Sequence, residues 1–241
     1  MTLNDLNIKI FADGADLTAI KTIYEQGVVK GFTTNPSLMK KAGVHDYLSF
    51  AQEFIATVPD LPISFEVFTD DFDTMYQEAM TLAQLSPNVM VKIPITNSKG
   101  ESSVPLIHSL SDEGVNLNIT AMFTLEQVEQ VLPAFVKGTH NYISIFAGRI
   151  ANTGIDPEPL MYMAARLCHR VDGVELLWAS SREVLNVIQA ARCECDIITV
   201  TNDILKGLKN LGKNLTQYSL ETVQMFVKDS QSLGYSILTK F

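Results

Sequence analysis

Cysteine is scarce in this sequence, no run of basic residues occurs, and no apolar stretch is long. Three cysteines, Cys168, Cys193 and Cys195, stand in 241 residues without CxxC spacing. That pattern suggests neither a disulfide framework nor a zinc site, and the thiols read as small buried hydrophobes. Four histidines, His45, His108, His140 and His169, lack HExxH spacing and acidic neighbours at metal-ligand intervals. They read as helix or loop residues, and no metal is expected. Without a Lys/Arg-rich patch, a formal charge of −9 repels nucleic-acid phosphates and acidic lipid leaflets. No apolar run approaches the roughly 18 residues of a membrane span. The start MTLNDLNIKIFADGAD also lacks the basic residues and the apolar stretch of about 7 to 15 residues that mark a signal peptide. A cytoplasmic protein with no nucleic-acid or membrane partner is expected.

What is present is enough apolar material for a core. Hydrophobic residues make up 46% and charged residues 19%, the balance of a globular chain rather than a disordered one. Short β-rich runs begin near Ile8, Gly31, Ile63, Val89, Val115, Tyr142, Glu175 and Ile197, and a helical pattern follows each. Helix starts are legible. Asp16 precedes LTAIKTIYEQ, Thr124 opens a capping box with Gln127, and Asp156-Pro157 puts proline at a first helical position. Such alternation implies parallel strands joined by right-handed crossovers. Eight units close most naturally into a (β/α)8 TIM barrel, although an open doubly wound sheet has the same pattern. A further helix from about Ser219 to Leu233 makes residues 219–241 a C-terminal helical extension of a single domain spanning 1–241.

Polar residues inside apolar strands carry the chemical information, because barrel catalysis happens at the strands' C-terminal ends. Lys92 in VMVKIPI loses the hydration its charged form needs, which favours the neutral, nucleophilic amine. Pairing with a buried carboxylate is the alternative. Glu66 in ISFEVF is either functional or that partner. Asp13, ending IKIFAD, is either a general acid–base group or a turn or capping aspartate. Asn118 and Thr120 in VNLNIT share one strand face, as do Ser144 and Phe146 in YISIFAGRI. Arg149 and Arg182 arrive just past adjacent strands, the latter beside Ser180. Singly each suggests a surface ion pair; together their forked donors suit a phosphate. Thr33-Thr34-Asn35-Pro36-Ser37 is, by itself, a turn and helix start.

Assembled, these pieces resemble the transaldolase family, in particular its short subfamily that also includes the fructose-6-phosphate aldolases. The resemblance runs from about Ile8 to Leu208. It rests on Thr33-Thr34-Asn35-Pro36-Ser37-Leu38 after the second strand and Val91-Lys92-Ile93-Pro94 in the fourth, with Ala12-Asp13-Gly14-Ala15-Asp16 in the first. It implies that Lys92 is the Schiff-base lysine and Asp13 the acid–base group. Glu66 and Thr120 would hold a water, while Thr34, Asn35 and Asn118 face the substrate. Ser144, Arg149, Ser180 and Arg182 would contact the substrate and its phosphate. Departures from the family pattern are Gly14 for Thr or Ser, Ile145 for Pro, Ser181 for Phe and Asn202 for Pro.

The activity implied is a transaldolase of pentose-phosphate carbohydrate metabolism. It would pass a dihydroxyacetone unit from sedoheptulose 7-phosphate or fructose 6-phosphate to an aldose phosphate. No cofactor is implied, since the lysine is its own electron sink. Two rivals stand beside it: a fructose-6-phosphate aldolase that releases free dihydroxyacetone, and a catalytically silent barrel that binds sugar phosphates. Phe146 and Glu66 favour transfer, because the resembling aldolases carry tyrosine and glutamine there. Short relatives assemble through a C-terminal helix, so a homo-oligomer is expected.

Overall fold

A computed structural model describes residues 5–235, 237 and 238 of the chain. Eight parallel strands form a closed barrel in sequence order: β1 (Lys9–Asp13), β2 (Gly31–Thr33), β3 (Ile63–Glu66), β4 (Val89–Pro94), β5 (Leu117–Met122), β6 (Asn141–Ile145), β7 (Val174–Trp178) and β8 (Ile197–Thr201). Pairing of β8 with β1, Phe11 beside Thr199, closes the circle. The expected (β/α)8 barrel is therefore the observed one.

Helices follow every strand. α1 (Leu17–Glu25) follows β1, α2 (Pro36–Ala42) and α3 (Tyr47–Thr57) follow β2, and α4 (Phe72–Ala83) and α5 (Val104–Asp112) follow β3 and β4. Then come α6 (Leu125–Val131), the pair α7 (Ala147–Ala151) and α8 (Glu158–Cys168), α9 (Leu185–Arg192), α10 (Asn202–Gly207) and α11 (Leu215–Ser232). The doubled helices after β2 and β6 were not legible as separate elements. Local chemistry explains the starts. Asp16 Oδ1 accepts from the Thr18 and Ala19 amides, and Thr124 and Gln127 form the reciprocal capping box. One start is displaced: α8 begins at Glu158, so Pro157 sits at the cap position rather than the first helical one. Its fixed φ of −77° suits both positions, which is why the sequence does not separate them.

Two apolar layers hold the barrel. The larger one lies between strands and helices and includes Phe32, Phe54, Phe65, Ile93, Ile119 and Trp178. The smaller one, Phe11, Met90, Tyr142, Leu177 and Ile197, plugs the barrel interior. Phe11 fits there only because residue 31 is glycine; a Cβ on Gly31 would stand 2.5 Å from the Phe11 ring. The three cysteines are buried and free, and burial pushes the Cys168 thiol up to about 12 and the Cys193 thiol up to about 11. They pack as small hydrophobes, as their spacing suggests.

The last helix differs from the rest. α11 starts at Leu215, earlier than the expected Ser219, because Asn214 Oδ1 accepts from the Gln217 amide and caps it there. None of its residues is buried, although Leu215, Leu220, Val223, Phe226 and Val227 are all exposed and apolar. The expected extension to residue 241 falls partly on residues 236 and 239–241, and the expected leader-free start on residues 1–4; these lie outside the described residues. Among the described residues, no helix is long and apolar enough to cross a membrane.

Candidate active site

Parallel register fixes the centre of the site. Glu66 pairs with Lys92 across β3 and β4, and Lys92 pairs with Asn118 across β4 and β5. Paired residues of parallel strands face the same side, so the three form one row inside the barrel. Lys92 Nζ lies 3.0 Å from Glu66 Oε2 and donates to the Thr34 carbonyl at 3.0 Å. The side chains of Lys92 and Glu66 are only 8% and 19% exposed. The pairing with a buried carboxylate is thus observed, and that carboxylate is also a group to which the ammonium can pass a proton.

Asp13 ends β1 and accepts from Thr33 Oγ1 at 2.8 Å. It is not the cap of α1, a role taken by Asp16. Burial pushes the Asp13 carboxyl above its ordinary 3.8, opposed by the Lys92 charge and the Thr33 hydrogen bond and reinforced by Glu66. A carboxyl that keeps its proton beyond the usual range is better suited to returning one than an ordinary carboxylate.

The polar floor is tightly wired. Asn118 donates to Ser64 Oγ at 2.9 Å and accepts from Ser144 Oγ at 2.6 Å, joining β3, β5 and β6. Thr120 is 2% exposed and its hydroxyl has no hydrogen-bond partner among the described residues, so it is free for a ligand or water. Directly after it, Ala121 adopts a left-handed φ of 58° where the β5–β6 register shifts. Asn35 caps α2 by accepting from the Leu38 amide at 3.0 Å, leaving its amide nitrogen as the uncommitted polar group.

The opposite wall comes from β6, β7 and their loops. The Arg149 guanidinium lies 5.1 Å from the centre of the Phe146 ring, a cation–π distance. Ser180 is left-handed, with φ 63°, and its carbonyl approaches α7 so closely that a Cβ on Gly148 would stand 1.7 Å away. With its amide oxygen turned toward the guanidinium, Asn152 accepts from Arg182 Nη2 at 3.2 Å and donates to the Gly148 carbonyl at 3.2 Å. Asn186 Oδ1 accepts from the Arg182 amide at 2.7 Å. Both arginines are exposed at the rim.

These groups surround a cavity of about 170 Å³ at the strands' C-terminal ends, where about 10–15 Å³ suffices for one water. Asp13, Asn35, Lys92, Asn118, Thr120, Ser144, Phe146, Arg149, Ser180 and Arg182 all line it. Glu66 and Thr34 do not. Glu66 reaches the site through its ion pair with Lys92, and Thr34 is fully buried with its hydroxyl unpartnered among the described residues. The hydroxyl of that pair that reaches the cavity is Thr33's, because alternate residues leave a strand on opposite sides. Thr199 also lines the cavity without having been singled out, as does Ser181, noted only as a departure from the family pattern. The alternation in ITVT was the available signal for Thr199. Among the described residues, no group of three or more His, Cys, Asp or Glu side chains is placed to hold a metal ion.

Residues 10–237 match the family described as transaldolase/fructose-6-phosphate aldolase. A protein of Thermoanaerobacter sp. described as a probable transaldolase is 34% identical over 231 residues, covering 95% of this chain and all of that one. One of Cereibacter sphaeroides with the same description is 35% identical over 233 residues, 96% of this chain and all of that one. Among solved structures, a thiamine phosphate pyrophosphorylase from Pyrococcus furiosus superposes with a TM-score of 0.55 at 10% identity, covering 86% of this chain and 95% of that one. That likeness concerns the barrel alone.

Because burial raises the folded-state Asp13 carboxyl above 3.8, the folded protein binds this proton more tightly than the unfolded chain does. Ionising Asp13 therefore costs stability as pH rises from 3.8 through the folded value, and the cost is absent below 3.8. Asp13→Asn is expected to raise the melting temperature near neutrality, with the gain shrinking as pH falls toward 3.8. Thermal unfolding across that range checks it, and an Asn variant less stable than wild type at neutrality would contradict it.

Proposed function

The chain belongs to the transaldolase/fructose-6-phosphate aldolase family, and from that premise we propose that it is a transaldolase working through a Schiff base on Lys92. The observation that carries the reading is Lys92 itself. It is the one lysine among the lining residues of the cavity, buried and within 3.0 Å of a carboxylate able to take its proton. The neutral amine adds to the ketose C2 carbonyl, and loss of water leaves an iminium that serves as electron sink. Asp13 takes the C4 hydroxyl proton, the C3–C4 bond breaks, and its electron pair forms an enamine on Lys92 as the aldose phosphate departs. The enamine then attacks the acceptor aldehyde, whose oxygen recovers the proton from Asp13, and water releases the new ketose.

The donor is sedoheptulose 7-phosphate or fructose 6-phosphate and the acceptor an aldose phosphate. Arg149 and Arg182 hold the phosphate, Asn35, Asn118, Ser144 and Ser180 the sugar hydroxyls, and Glu66 with Thr120 a water. Asp13, which keeps its proton above the ordinary carboxylate range, is suited to storing it between the half-reactions. Borohydride added with a ketose phosphate should inactivate the enzyme and fix a dihydroxyacetone-sized mass on Lys92, and Lys92→Met should abolish the label. Full inactivation with the label on another lysine removes Lys92 as nucleophile; no label at all favours the silent sugar-phosphate-binding barrel.

Transfer is favoured over release of free dihydroxyacetone by Phe146. A phenyl ring at this lining position cannot donate a hydrogen bond to a water that would hydrolyse the intermediate, whereas a phenol can. Wild type should form glyceraldehyde 3-phosphate from fructose 6-phosphate and erythrose 4-phosphate with little free dihydroxyacetone. Phe146→Tyr should raise the ratio of release to transfer. Rapid acceptor-free cleavage by wild type, unchanged in the variant, would assign the chain to the aldolases.

The same reading includes a homo-oligomer joined through α11, whose apolar residues Leu215, Leu220, Val223 and Phe226 are exposed. Covering such a face removes apolar area worth about 25 cal/mol per Å² from water. Sedimentation should give a mass several times 26.7 kDa, and Val223→Glu combined with Phe226→Glu should lower it. A wild-type monomer would end this part of the reading.

A further inference from the structure

We propose that Thr199 is a positioning residue for Asp13, acting through Thr33; this rests on the reading of Asp13 as the acid–base group. Thr33 and Thr199 come from β2 and β8, the two strands that flank β1. Their hydroxyls meet at 2.6 Å inside the barrel, and Thr33 Oγ1 goes on to Asp13 Oδ1 at 2.8 Å. Thr33 is 3% and Thr199 6% exposed, and both line the cavity. β-Branching leaves each side chain few rotamers. The chain is thus held rigidly from both sides of β1.

Hydrogen counting gives the chain a direction. Each hydroxyl carries one hydrogen, and an ionised carboxylate only accepts. When Asp13 is ionised, Thr33 must spend its hydrogen on Oδ1, and the Thr33–Thr199 contact then requires Thr199 to be the donor. That donation polarises the Thr33 hydroxyl and strengthens its bond to the carboxylate. It also keeps Oδ1 occupied, so that Oδ2 is the oxygen left to exchange a proton. When Asp13 is protonated the chain can run the opposite way, from Asp13 through Thr33 to Thr199. A second contact ties Thr199 to the site, since its carbonyl accepts from Ser181 Oγ at 2.8 Å, next to Ser180 and Arg182. The other charged groups acting on Asp13 are Lys92 and Glu66; these pair with each other, and Lys92 also with the Thr34 carbonyl, rather than with Thr199.

The test compares Thr199→Val, which keeps the branched shape and removes the hydroxyl, with Thr199→Ser, which restores it. In Thr199→Val, carbon-13 NMR of the labelled aspartate carboxyls should show Asp13 titrating at higher pH than in wild type. Transfer kcat, read on the plateau where Asp13 is ionised, should fall about fivefold, the scale of one net hydrogen bond, with KM little changed. Thr199→Ser should recover both. An unmoved Asp13 titration in Thr199→Val overturns the proposal, as does a serine variant impaired as much as the valine one. Should Asp13→Asn retain full activity, the acid–base reading beneath falls and the catalytic role of Thr199 with it. An inactive Asp13→Asn with an unmoved titration in Thr199→Val overturns the coupling alone.

Discussion

A primary amine buried inside a β-barrel must find its partners among the neighbouring strands, and the rest of the site is arranged around that constraint. Lys92 is 7% exposed, so its amine cannot rely on water. Register supplies a carboxylate from β3 and, from the residue just past β2, a backbone carbonyl, both 3.0 Å away. A buried ion pair of this kind offsets desolvation rather than adding much net stability. On the proposed reading its value is positional, because the amine is held where a carbonyl entering the mouth would meet it. Glu66 and Thr34, which do not line the cavity, therefore belong to the site through the lysine they hold.

The barrel interior is divided to make this possible. Phe11, Met90, Tyr142, Leu177 and Ile197 fill the bottom, and the polar row begins immediately above them. Since interior residues alternate along each strand, a polar mouth over an apolar plug requires a switch of residue type within each strand. Phe11 and Asp13 on β1 show it, as do Met90 and Lys92 on β4. Two of the three left-handed residues that are not glycine, Ala121 and Ser180, lie at the rim, each at a cost of about 1–3 kcal/mol that the packing around them must offset. Gly148 admits the Ser180 carbonyl, so the β7 loop and α7 are fitted to one another at backbone level.

Much of this was legible in the sequence. Alternating β and helical patterns announced the barrel, and Asp16, Thr124 and Gln127 announced their helix starts, because caps are local chemistry. Lys92, Glu66, Asn118 and Thr120 stood out since polar groups interrupt apolar strands only at a cost. Other features had no such contrast. Threonine is an ordinary strand residue, so only the tertiary contact with Thr33 across β1 distinguishes Thr199. β2 is three residues long, too short for parity to say whether Thr33 or Thr34 faces inward. The bond between Asn152 and Arg182 and the meeting of Gly148 with Ser180 arise from tertiary approach, which spacing does not encode. Nor did the amphipathic pattern of α11 reveal that its apolar residues lie exposed on the chain alone.

Strand order also sorts the charges. Asp13, Glu66 and Lys92 come from β1, β3 and β4, whereas Arg149 and Arg182 follow β6 and β7. The cavity is therefore lined on one side by Asp13 and by Lys92 with Glu66 paired to it, and on the other by two guanidinium groups. On the proposed reading, an anion entering against an overall charge of −9 is drawn by the local field of the two arginines, which near a cleft outweighs the distant total. On the same reading this division gives an elongated phosphate ester one favourable orientation, phosphate to the arginines and carbonyl to the lysine. In the proposed transfer both donor and acceptor carry a phosphate, so the same pair can orient each in turn. The enamine meanwhile stays fixed on β4, and the acceptor aldehyde arrives where the departing one left.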